Sequence, residues 1–424
     1  MHRILFLLTF FVASQSLCAQ KLDSLLAIQR KADPQEKVYV HFDKNFYNPG
    51  ETIWFKAYFL TGSEPSDASK NFYAELIDEQ GTIVKQVTAP ILFSGSSGSF
   101  ELDSAFSKPV VYFRGYTVTM LNGDTSFLYT KPIRILTTKA PDAKTAVAAA
   151  PTLKFLPESG NWIAGVPSRI AFAAVNEQGL PITINGSVVD EKGAKVVELK
   201  TLHQGMGIFS LIPEAGKTYT AHWKDESGKM YTTALPQPNA EGVQLRITEE
   251  AGGNKRFTIN RSAGVPEDMK QLYIAATMNQ ALIFEARVNL EAKLAATGIF
   301  PTKDIQSGIL QITVFDASHK PLAERIVFVN NHEFEFDGDI FLSLKNFNRR
   351  GLNQAEVIIS DTLAANLSLS VTDADLNESD RMGDNIVSRF LLTGDLRGTI
   401  TDPYYYFFSN DDSASVYLDL VMLT

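Results

Sequence analysis

Five histidines follow residue 20: His41, His203, His222, His319 and His332. None stands at HExxH or H-x3–5-H spacing, which would set two imidazoles on one zinc ion. His203 and His222 share one segment, yet no spacing marks the carboxylates that would complete a site there. Two acidic groups invite calcium: Glu333, Glu335, Asp337 and Asp339, and then Asn410-Asp411-Asp412. Calcium takes about six to eight oxygens, and neither group matches an EF-hand loop. Glu333 and Glu335 alternate with Phe334 and Phe336 and read as the solvent face of a strand. No G-x-S-x-G elbow is present. Gly95-Ser96-Ser97-Gly98-Ser99 reads as a flexible loop before a strand. Gly252-Gly253-Asn254 reads as a hairpin turn, not a phosphate cradle. Asp373 and Asp375 could pair as glycosidase carboxylates, but aspartates ending a strand are ordinarily turn formers. The single cysteine, Cys18, falls near the amino terminus. These residues predict no catalytic group, no metal, no cofactor and no enzyme activity.

The elements that would position any such chemistry are strands. Val38, Val40 and Phe42 alternate with Tyr39, His41 and Asp43. Ile53, Phe55 and Ala57 alternate with Trp54, Lys56 and Tyr58. This is period-two patterning, and the turn between, Asn48-Pro49-Gly50-Glu51, is chemically specified because proline fixes φ and glycine supplies a positive one. A strand–acidic loop–glycine–strand unit recurs from Ala74, Ala171 and Ser187, with a looser copy from Ile309. Its turns predict left-handed glycines at Gly81, Gly179 and Gly193. Residues 21–31 read as a short amphipathic helix. The pattern predicts an all-β chain of tandem antiparallel β-sandwich, immunoglobulin-like domains. Linkers at Pro141–Pro151 and Pro236–Gly242 divide it into 37–140, 151–236, 243–331 and a fourth, incomplete β module over 334–424.

The residues Tyr39, Asp43, Lys44, Tyr47, Pro49, Gly50, Glu51, Thr52 and Trp54 resemble the opening of the second macroglobulin-like (MG2) domain of alpha-macroglobulins. Further on, Pro157, Glu158 and Gly160 are similar to a Phe-Pro-Glu-x-Gly pattern in a following domain of bacterial members, with Leu156 in place of phenylalanine. Gly165, Arg169 and Phe172 resemble their Gly-x-x-x-Arg/Lys-x-x-Phe pattern, and Gly205 to Phe209 their Gly-x-Gly-x-Phe strand entry. The stretch from Ser388 to Phe407 resembles one that follows the sandwiches in long outer-membrane-associated relatives. The resemblance implies macroglobulin-like modules. It does not bring the reactive thioester, whose cysteine the chain after residue 20 lacks.

His2 and Arg3, an apolar run to Ala13, and small residues up to Ala19-Gln20 form a signal peptide over 1–19. The run is too short to span a bilayer. Cys18 raises lipidation, but Leu17 occupies the place of the small residue a lipobox requires. The net charge of −9 disfavours nucleic acid, which needs a basic footprint. The reading is an exported protein in the periplasm or at the cell surface of a Gram-negative bacterium. It would act as a non-enzymatic scaffold or partner-binding arm. Its partner would be an envelope or outer-membrane protein such as a TonB-dependent receptor. The alternatives are an endopeptidase inhibitor meeting proteases without a thioester, or an accessory part of a secreted hydrolase. The aromatic run after Pro403 makes Tyr404, Tyr405 and Tyr406 the candidate interaction surface. The apolar pattern that reaches Thr424 predicts continuation or docking there.

Overall fold

The computed structural model describes residues 22–137, 150–335, 338–359, 365–373 and 383–424. The signal segment with Cys18, most of the 141–151 linker, Asp337 and Asp375 lie outside the described residues. Strands make up 46% of the described residues and helices 13%. The chain is therefore all-β, in tandem antiparallel sandwiches, with more helix than residues 22–32 alone supply.

The first module pairs Glu36–Phe42 with Thr52–Thr61, which in turn pairs with Gly95–Glu101. A five-stranded sheet faces it, built on Asn71–Ile77, Ile83–Pro90, Val110–Tyr116 and Tyr129–Ile135. Phe46–Tyr47 joins that sheet's edge in a short parallel pairing. The serine-rich stretch expected as a loop is thus the edge strand Gly95–Glu101. Gly98 has a reason to lack a side chain, because a Cβ there would meet the ring of Phe55 at 2.6 Å. Phe42, Phe55, Phe72, Phe100 and Phe113 fill the space between the sheets, with ring centroids 5.0–6.5 Å apart. Each such ring contributes about 1.5–3 kcal/mol by leaving water. Alternation puts Phe55 and Ala57 inside and leaves Trp54 59% exposed.

The second module sets Thr152–Pro157, Ser168–Val175 and Met206–Leu211 against a sheet ordered Lys195–Lys200, Asn185–Asp190, Tyr219–Lys224, Met230–Ala234. The third sets Val243–Glu249, Lys255–Arg261 and Ala295–Phe300 against Ala281–Asn289, Gln271–Met278, Gly308–Phe315 and Pro321–Val329. The recurring hairpin turn has one chemistry. Asp78, Asn176 and Asp190 each accept from the second and fourth following backbone N–H groups. Gly81, Gly179 and Gly193 then take φ near 80°. Asp316 builds the same turn with His319 in the glycine position at φ 67°, where its ring stacks on Tyr273.

Of the fourth β module expected over 334–424, the described residues show one hairpin followed by helical segments. A lone hairpin, Gly338–Leu344 with Gln354–Ile359, stands in solvent. Residues 365–373 then run across the outer face of the first sheet. Asn366 donates to Phe93 O, Lys56 to Leu367 O and Tyr58 to Ser368 Oγ. Among the described residues from 383 onward the regular elements are helical: a turn at Ile386–Ser388 capped by Asn385, a π-helical turn Arg389–Thr393, a short helix Tyr405–Phe408 and a helix Ala414–Leu423. Strand alternation cannot tell a short apolar run from a buried helix, which is why YYYFF and YLDLVMLT read as β.

Candidate functional site: a clasp across three modules

Most of the nine residues singled out around the first turn form a local lock. Tyr47 is fully buried and its hydroxyl donates to Asp43 Oδ1 at 2.5 Å; Trp54 N donates to the same oxygen at 3.0 Å. Burial and that carboxylate push the Tyr47 phenol far above its ordinary range. Lys44 Nζ reaches Glu51 Oε2 at 2.7 Å and lies 4.9 Å over the Tyr47 ring, while Glu51 Oε2 also accepts from Asn48 N. Gly50 has φ 86° in the Pro49-Gly50 turn, and Tyr39 meets Tyr129 edge-on at 6.3 Å. Thr52 opens the second strand. These partners are spent on each other, so the motif's role here is to fix a turn.

The histidines and carboxylates are dispersed. His41 bonds Ser368, His222 approaches Thr232, and His332 faces Glu335. Glu333 binds the backbone and hydroxyl of Ser307. Asp411 accepts from the Tyr405 hydroxyl. Among the described residues no three His, Cys, Asp or Glu side chains converge on one point.

What converges instead is charge and aromatic surface where residues 383–424 cross the sandwiches. On the first module, Lys37 Nζ donates to Phe390 O at 3.0 Å and to Asp395 at 2.5 Å. Arg389 donates to Val38 O and Phe127 O and lies 5.5 Å over the Tyr129 ring. On the second, Leu420 and Leu423 pack against Ala171 and Met206. On the third, Phe407 meets Phe328 and Phe334 at 5.5 and 5.8 Å. Here the candidate surface needs correction. Tyr406 is only 4% exposed and holds the clasp together, as does half-buried Tyr405; Tyr404 alone of the three is exposed. A helix turns successive side chains by about 100°, so the run divides between inside and outside differently from a strand.

At the centre, two guanidiniums meet two carboxylates. Glu158 is 1% exposed. It accepts from Arg169 at 2.8 and 2.6 Å and from Arg325 Nε at 3.5 Å. Arg325 also donates to Asp419 Oδ1 at 2.5 Å, and Asp419 lies 3.9 Å from Arg169. Burial opposes the Arg169 charge, but its bonds to Glu158 outweigh burial and raise its pKa. Module two thus supplies Glu158 and Arg169, module three Arg325, and the last helix Asp419. The Pro157-Glu158-Ser159-Gly160 and Arg169 motifs are legible in the sequence, and Gly165 and Phe172 beside them shape a loop and the core. Arg325 and Asp419 carry no local signal.

His203 completes the seam. Its ring stacks on Tyr417 (4.4 Å, 7°) and Tyr405 (4.9 Å, 25°), with Tyr406 edge-on. Burial pushes its pKa below the ordinary 6.5, with Asp402 and Asp411 opposing. The unfolded imidazole therefore takes its proton first as pH falls, and stability drains from about pH 6.5 downward, with no effect above. His41, also lowered, by burial and then by Lys131, titrates in the same window. The expected result is a urea midpoint that falls between about pH 7.5 and pH 5, with a shallower fall for His203→Phe, which keeps the stack without the proton. Superimposable pH profiles for the two chains would sink this.

No protein-family model matches the sequence, and no curated protein matches it. Among solved structures the chain is similar to alpha-2-macroglobulin from Salmonella reacted with methylamine, at 12% identity and TM-score 0.22, over 74% of this chain and 24% of that one. It is similar to Escherichia coli alpha-2-macroglobulin activated by porcine elastase, at 13% identity and TM-score 0.23, over 72% of this chain and 32% of that one. It is also similar to the BSP domain of a biofilm-associated protein, at 12% identity and TM-score 0.22, over 71% and 67%. The chain thus spans a quarter to a third of the length of these macroglobulins.

Proposed function

We propose that this chain is a non-enzymatic arm of the bacterial envelope that holds three sandwich modules in one fixed arrangement for a protein partner. The observation that carries the reading is the clasp, which binds all three modules and closes a buried ion network between two of them. Flexible tandem modules would need no Glu158 and Arg325 hidden from water at their junction, since desolvating two charges is unfavourable unless their geometry is held. The motif around Asp43 and Tyr47 and the dispersed histidines serve structure, in keeping with an arm. An outer-membrane transporter is the partner that the resemblance of residues 388–407 implies.

Spin labels at Thr88→Cys in module one and Lys293→Cys in module three test rigidity, both sites being exposed. The chain from residue 20 should give one narrow distance distribution, and adding Lys37→Ala with Asp419→Ala should broaden it. A broad distribution in the parent would remove the basis of the reading. Turnover of peptides or glycosides, abolished by a point substitution, would overturn its non-enzymatic half.

A further inference from the structure

The hairpin 338–359 is the one part of the described chain that packs against no module, and its composition is unlike the rest. Register places Ile340 opposite Val357 and Leu342 opposite Ala355, all on one face and all in solvent. Its tip, residues 345–353, carries Lys345, Arg349 and Arg350 and no acidic residue, in a chain of net charge −9. Among the described residues no carboxylate pairs with any of the three. Phe347 is 87% and Leu352 70% exposed, beside those cations.

The tip is built, not slack. Asn346 N donates to Asn353 Oδ1 at 2.8 Å, Asn353 Nδ2 donates back to Asn346 O and to Gly351 O, and Gly351 N donates to Asn348 O. Lys345 Nζ sits 4.9 Å over the Phe347 ring. Side-chain amides thus satisfy the loop's backbone and leave the basic and apolar side chains pointing away from it.

We propose that this tip docks on an anionic lipid bilayer, with Phe347 and Leu352 entering the headgroup–acyl boundary and Lys345, Arg349 and Arg350 meeting lipid phosphates. Charge selects an anionic partner. Protruding apolar side chains beside the cations match the headgroup–acyl boundary, where apolar residues enter beside Lys and Arg that meet the phosphates. A narrow hairpin tip inserts where a groove would be needed to receive a peptide. Docking does not require rigid modules, so this reading and the arm can fail separately.

Sedimentation of the chain from residue 20 with lipid vesicles tests it. Vesicles with roughly one-third phosphatidylglycerol should bind, and phosphatidylcholine alone should not. The triple change Lys345→Gln, Arg349→Gln, Arg350→Gln should weaken binding about hundredfold. Phe347→Ser with Leu352→Ser should weaken it at least about hundredfold. Should either variant unfold, the folded Phe347→Trp chain still decides, because its added emission should shift to the blue on anionic vesicles and return in high salt. Equal binding to neutral vesicles, no blue shift, or an unaffected triple variant would overturn the proposal. So would full competition by soluble polyglutamate together with unchanged binding by the serine pair, since that outcome assigns the tip to an acidic protein.

Discussion

Replacing Arg325 with alanine should lower stability by about 1–3 kcal/mol, because it opens a hole beside buried Glu158, which keeps Arg169, and removes the nearer partner of Asp419. The Arg325 and Glu158 side chains are almost wholly removed from water, so solvent screening does not soften the loss as it does at a surface pair. Arg169 remains as a partner for Glu158, but its hold on Asp419 is long at 3.9 Å, and Asp419 is partly exposed. The last helix should therefore loosen along with the junction. Asp419→Ala, at the wet end of the same network, should be markedly milder. Unfolding of a multi-module chain is not one all-or-none event, so the readout is the urea midpoint of the transition that reports modules two and three. A midpoint for Arg325→Ala equal to that of Asp419→Ala would show that burial does not set the effect.

Gly205→Val should be comparably damaging for a different reason. Gly205 has φ 74°, and a Cβ there would lie 2.4 Å from the carbonyl oxygen of Ala174 and 3.0 Å from Pro181 Cβ. The backbone angle alone costs a side chain about 1–2 kcal/mol, and forcing atoms into a filled space adds about 1–3. The neighbouring strand cannot yield freely, since Ala174 N donates to Gly205 O at 2.9 Å. Gly193→Val is the control: its φ is 79° but nothing stands within 4 Å, so only the backbone penalty applies. Urea midpoints of the two variants should therefore separate, with Gly205→Val lower. Equal midpoints would mean that the close approach to Ala174 relaxes without loss.

The strands, their faces and the Asp-x-x-Gly turns were legible because each depends on residues within one hairpin. Phe55 goes in and Trp54 stays out by alternation alone. Asp78 and Gly81 specify their turn four residues at a time. Glu158 and Arg169 were visible as a pattern, though not as a pair joined to Arg325. The clasp was not legible, for two physical reasons. Its partners are far apart in sequence, as with Lys37 and Asp395 or His203 and Tyr417, so neither position shows a local trace of the other. Its helices are apolar on several sides, because they lie among three modules, and an apolar run without a polar face has no period to read. The hairpin 338–359 was the reverse case. Its strand pattern was clear, and among the described residues the β module expected there amounts to one hairpin, whose two strands do not bury an apolar face by themselves.

Lys37 is the second residue of the first strand, and its two partners lie 353 and 358 positions further along. A chain emerges amino end first, and modules tend to fold as they appear. The three sandwiches can each close on their own residues long before Phe390 and Asp395 exist to receive that ammonium. Assembly therefore has a late step whose timing is set by synthesis of residues 383–424 rather than by the folding speed of any sandwich. Until then modules two and three can already meet through Arg325 and Glu158, while the Lys37 ammonium on the first still waits for these two partners.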